Sequence, residues 1–160
     1  MLTKKMCIEK LSKERVFILF PSLYDIFDSK VKCKIKAIAE YFSKELFIKI
    51  TSRDAKLTKI INEMPFVKNI HIEKKRNENI IYFKLLTLHL VKVLDNIDPE
   101  ITSMEAYAIN SMECVKNIKI NSDMATFYMF VSDNDGPSII FDKKIYDFRS
   151  TLSSIKTILD

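Results

Sequence analysis

The chain has 160 residues, 48% of them apolar and 29% charged, with a formal net charge of +5. That is one domain's length with enough apolar residue for a core, and it argues against wholesale disorder and against two comfortable domains. Three cysteines without metal-like spacing and a single glycine argue against a disulfide framework, a zinc site and any glycine-rich phosphate loop, while the mild basic excess leans toward polyanionic partners.

Residues 1–15 are polar and basic and read as a loose N-terminal arm or a short helix. They lack an apolar run ending at a small-residue cleavage site, and no stretch of 18 apolar residues follows. The expectation is a soluble intracellular protein in a reducing compartment, nucleus favoured over cytoplasm, with no membrane partner. Residues 15–20, RVFILF, form a short apolar run closed by Pro21 and read as a buried strand. Ser22, with Asp25 three residues on, resembles a capping box opening a helical region.

Residues 29–50, SKVKCKIKAIAEYFSKELFIKI, read as a two-faced helix running into a strand. At about 100° per residue Val31, Ile35, Ile38 and Phe42 share one stripe, while Lys30, Lys32, Lys36 and Lys44 fall opposite with Glu40 among them. The early residues also alternate as a strand would, but alternation fails at Ile38, Ala39 and Phe42 where the helical stripe persists. Residues 46–50 are the strand, TSRD a turn, and residues 55–64 fit either helix or strand. Residues 66–73 and 80–85 flank the charged tip KKRNEN, a hairpin pattern.

From Leu86 the spacing through Leu90, Val93, Leu94 and Ile97 is helical, and Pro99 closes it. A short helix is expected around 104–109, then strands at 114–120, 125–132 and 138–145, with the only glycine in the SDNDGP turn. Leu152, Ile155 and Ile158 are helically spaced in a tail at 147–160, leaving 16–146 as the folded body.

This order resembles one domain of the DNA sliding-clamp superfamily (PCNA-like), nearest to the Hus-type subunit of the DNA-damage checkpoint clamp. The likeness lies in LFIKITSRDAKL at 46–57, NENIIYFKLLTLHLVKVLDNI at 77–97 and VKNIKINSDMATFYMFVSDNDGPSIIFD at 115–142, patterns of apolar and polar residues covering about half the chain. Clamp subunits usually hold two such domains, whereas this length holds one, and the segment 58–66 is shorter than the family pattern. The resemblance implies an α+β fold, a single clamp-type domain with two helices packed on an antiparallel sheet. It also implies a non-enzymatic role in DNA repair, checkpoint or replication, with duplex DNA, other clamp-type subunits and a clamp loader as partners. Lys30, Lys32, Lys36 and Lys44, with Lys92 on the second helix, would be the DNA-facing set, and the strand at 125–132 or that at 138–145 would supply a pairing edge. Taken singly, each lysine is more simply a solvated residue of an amphipathic helix surface, since exposed lysines are common.

The alternative reading is a winged-helix or La-motif-like nucleic-acid-binding module, with Lys74, Lys75 and Arg76 at the hairpin tip contacting phosphate. Catalysis is not expected. His71 and His89 have no triad motif beside them, SDNDG lacks the glutamate an EF-hand needs, and nothing points to a cofactor, metal or small-molecule substrate. Tyr128, Phe130 and Phe141 suggest either a base-stacking platform or strand core.

Overall fold

A computed structural model describes residues 5–108, 125–132 and 136–160. Within the described part of the N-terminal stretch the chain forms a hairpin rather than a loose arm or helix: β1 (Cys7–Lys10) pairs antiparallel with β2 (Arg15–Leu19). The four-residue strand is too short to announce itself by period, and its ladder to β2 supplies the bonds that a free arm would leave to water. Pro21 stops β2 as expected and opens a 3₁₀ turn, Pro21–Leu23. The helix start lies further on than Ser22. Asp25 accepts the Phe27 N–H in a local turn (3.1 Å), and Asp28 is the cap, its Oδ1 accepting the N–H groups of Lys30 (2.7 Å) and Val31 (3.3 Å).

The helical reading of the next stretch holds, as α1 (Ser29–Phe42). Ile35, Ile38, Ala39 and Phe42 are buried, and Ser43 turns extended at φ −159° to deliver the chain into β3 (Glu45–Ser52). The ambiguous segment that follows is a short helix, α2 (Leu57–Asn62), burying Leu57 and Ile61. The expected hairpin is β4 (Lys68–Lys74) and β5 (Asn79–Leu86). The second long helix is shorter than its spacing suggests: a 3₁₀ turn, Thr87–His89, leads into α3 (Leu90–Leu94).

The short helix expected around 104–109 is instead strand β6 (Thr102–Ala108). Thr102, Met104, Ala106 and Ala108 alternate into the core, and pairing with β3 overrides the helix propensity of Met, Glu and Ala. The strand expected at 114–120 lies outside the described residues. β7 (Phe127–Val131), β8 (Ser138–Asp142) and α4 (Phe148–Leu159) complete the described chain. Gly136, before β8, has φ +98°, a conformation that L side chains rarely adopt.

The eight strands of the described residues form one antiparallel sheet in the order β1-β2-β8-β7-β6-β3-β5-β4. The fold is therefore α+β; the described residues hold four α-helices, the two expected on the sheet and, in segments whose spacing also allowed a helix, α2 and α4. Both strands proposed as pairing edges, β7 and β8, are interior, because each is hydrogen-bonded on both sides; the edges are β1 and β4. Edge β4 carries a register shift beside Asn69, which has φ +54°, and that bulge blunts it.

The hydrophobic core lies between the helices and one sheet face, to which Val16, Ile48, Ile50, Phe83, Met104, Phe127, Ile139 and Phe141 contribute from the strands. Helix α1 is central in the helical layer, with α3 on one side and α4 on the other. Both run antiparallel to it. Lys32 early in α1 meets Asp95 at the end of α3, and Tyr41 late in α1 meets Thr151 early in α4 while Lys34 reaches Leu159 at its end. The β4–β5 hairpin continues the sheet through β3 and does not project as a wing from a helical core.

Candidate nucleic-acid interface

The basic excess is concentrated in the helical layer. The four helices hold eight Lys or Arg and one acid, Glu40, so the rest of the chain holds eighteen of the 26 cations against twenty of the 21 acids. Acids do flank the helices, at Asp28, Glu63, Asp95, Asp147 and Asp160. Caps and ion pairs occupy several of them: Asp28 and Asp147 bond helix-start N–H groups, and Asp95 and Asp160 pair with Lys32 and Lys5.

The expected DNA-facing lysines do not form one uniform row. Lys30 is exposed on the first turn of α1. Lys32 turns sideways: its side chain is 12% exposed and Nζ lies 2.8 Å from Asp95 Oδ1 on α3. Lys36 pairs with Glu40 one turn on at 3.2 Å. Lys44 sits past the helix end, exposed, while its carbonyl accepts the Thr87 N–H at 2.8 Å and ties the end of α1 to the start of the α3 region. Lys92 is exposed on α3, its Nζ 5.4 Å from the Phe66 ring. Lys74, Lys75 and Arg76 are exposed at the β4–β5 tip, at the blunted edge of the sheet.

Sequence reasoning missed the cations of α4. Arg149 and Lys156 are exposed, with Ser150, Ser153 and Thr157 beside them, while Thr151, Ile155 and Leu159 are buried. The signal was available, since these polar residues occupy the positions that the Leu152, Ile155, Ile158 spacing leaves facing outward. Tyr41 and Thr151 hydroxyls share a hydrogen bond of 3.0 Å, Lys34 Nζ donates to the Leu159 carbonyl at 2.9 Å, and Tyr146 OH donates to the Phe42 carbonyl at 2.9 Å. These bonds fix α4 and the segment before it against α1. Between α1 and α4 runs an open groove of about 400 Å³, lined by Lys30, Cys33, Lys34, Ala37 and Ile158 among others.

The opposite sheet face carries an apolar row. Phe17, Ile140, Tyr128, Tyr107 and Phe47 are successive cross-strand partners over β2, β8, β7, β6 and β3, and the row ends at Lys84, whose Nζ is 5.0 Å from the Phe47 ring. Glu105 serves the row as a hub, accepting from Tyr128 OH at 3.1 Å and lying 3.5 Å from Lys49 Nζ. Burial, then the adjoining Glu105 charge, pushes the Tyr107 and Tyr128 phenols well above the usual tyrosine range. Phe141, grouped with Tyr128 and Phe130 from sequence, lies on the other face, fully buried with its ring centroid 5.4 Å from that of Phe42.

His71 is exposed on edge strand β4, and His89 stacks on Phe66 with centroids 4.5 Å apart. Among the described residues, no group of three or more His, Cys, Asp or Glu is placed to hold a metal ion, and no helix is long and apolar enough to cross a membrane. Comparison with protein-family models, curated proteins and solved structures finds no match to this chain.

Proposed function

We propose that this chain is a non-enzymatic, sliding-clamp-like subunit that contacts duplex DNA through its helical layer and leaves its outer sheet face for repair, checkpoint or replication proteins. The observation that carries the reading is the layering of α1, with α3 and α4 as antiparallel neighbours on either side, on one face of a single antiparallel sheet. A clamp-type wall needs that layering: apolar helix faces on the sheet, cationic faces turned to the phosphate backbone. The concentration of basic charge in the helices agrees with it. Lysines there act as diffuse counter-charges and bind without reading bases. Other clamp-type subunits, a loader and a nuclear location belong to the same proposal.

The test is duplex binding by the chain across a salt series. Lys30→Glu, Lys36→Glu and Lys44→Glu together, at sites remote from the core, should weaken association and flatten its dependence on salt, by a slope of about 0.9 for each phosphate no longer neutralised. A wild-type chain showing no salt-dependent affinity for duplex DNA would sink the reading.

A further inference from the structure

Resting on that reading, we infer that the duplex backbone is held across α1 and α4, with Arg149 and Lys156 as binding residues beside Lys30, and that α3 is peripheral. The neighbouring helix surfaces differ in their charge complementarity to a polyanion. Between its capping acid Asp147 and its terminal Asp160, the outward side of α4 presents Arg149, Ser150, Ser153, Lys156 and Thr157 with no acidic residue. Hydroxyls and cations in that mixture are what phosphate oxygens accept from. The two flanking carboxylates are already engaged: Asp147 accepts the Ser150 N–H at 3.0 Å, and Asp160 lies 2.6 Å from Lys5 Nζ.

The outward side of α3 is different. Its one cation, Lys92, lies over Phe66, and the next exposed positions are Asp95 and Asn96. Asp95 also draws Lys32 away from the surface. On the α4 side, Lys34 spans the junction to the Leu159 carbonyl, so α1 and α4 form one braced pair. Lys30 on α1 and Arg149 and Lys156 on α4 are exposed on these two neighbouring helices, a spread of cations suited to a continuous polyanion rather than to one phosphate. The groove between the two helices is open, and Cys33 is exposed within it.

The experiment compares duplex DNA binding by three forms of the full chain: wild type, Arg149→Glu/Lys156→Glu, and Lys92→Glu. The α4 double variant should bind at least tenfold more weakly at low salt and show a salt slope reduced by about two, while Lys92→Glu stays within twofold of wild type. If wild type binds and the α4 variant is unchanged, or Lys92→Glu weakens binding as much as the α4 variant does, the α1–α4 assignment is wrong and the broader DNA reading stands. If wild type does not bind, both fall. Should the double variant misfold, the native chain still decides: alkylation of Cys33, followed by peptide mass mapping, should slow when duplex is added, and an unchanged rate would overturn the assignment.

Discussion

Lys32 and Asp95 join α1 to α3 across the helical layer, Nζ to Oδ1 at 2.8 Å, with the lysine side chain largely covered and the aspartate half open to water. This pair makes a lysine on the polar face of an amphipathic helix a packing residue. Its stem covers apolar surface while its charge is spent on a neighbour.

A double-mutant cycle on Lys32→Ala and Asp95→Ala should therefore give a coupling of about 0.5–1 kcal/mol by chemical denaturation, near the top of the range for partly exposed pairs. Lys32→Ala should also cost more than Asp95→Ala, because it removes buried methylenes as well as a charge. Equal single-mutant costs and no coupling would show that the pair contributes nothing in solution.

Phe42 sits where α1 meets the sheet. Its ring stacks on Phe127 at 4.3 Å between centroids and meets Tyr146 edge-on at 4.9 Å. Phe42→Ala should destabilise the fold by about 3–5 kcal/mol, the usual range for deleting a buried aromatic, whereas Phe42→Leu should cost clearly less. Urea titration of the two variants measures both values. A destabilisation under about 1 kcal/mol for the alanine variant would mean that the cluster is not packed as described.

The phenols of Tyr107 and Tyr128 titrate higher in the folded chain than in the unfolded one. Below about pH 10 both states keep these protons and no stability difference arises. Above it the unfolded chain loses protons that the folded chain retains, so stability falls as pH rises. Thermal melts from about pH 8 to 11 should show the midpoint falling above about pH 10, and Tyr107→Phe/Tyr128→Phe should flatten that fall. An unaltered slope in the double variant would assign the alkaline loss to other groups.

The local features are readable where one residue pattern admits one periodicity. The stripe Val31, Ile35, Ile38, Phe42 persists long enough to decide for a helix, and the KKRNEN tip marks a hairpin by charge and turn chemistry. Residues 104–108 mislead because Met, Glu and Ala favour helix, and only the partners on β3 and β7 make them a strand. Ser22, Asp25 and Asp28 all suit the role of helix cap, and the fold selects among them through the path the chain takes after Pro21. Sheet order is not readable at all, since β2 and β8 are distant in sequence. The candidate surface suffers similarly: helical spacing shows which side of α1 is polar, but Lys32 meets an aspartate 63 positions away, and that meeting, rather than the wheel, decides its exposure.

The pairing of β2 with β8 also bears on biogenesis. On the ribosome, the β1–β2 hairpin can close early, yet among the described strands its other neighbour in the sheet is one made near the opposite end of the described chain. Until that strand emerges, Phe17 and Ile18 lack their cross-strand partners there and Val16 lacks Phe141. Nascent chains stalled before residue 138 would therefore carry an unfinished sheet with one sticky margin, the state in which chaperone capture or mispairing is most expected.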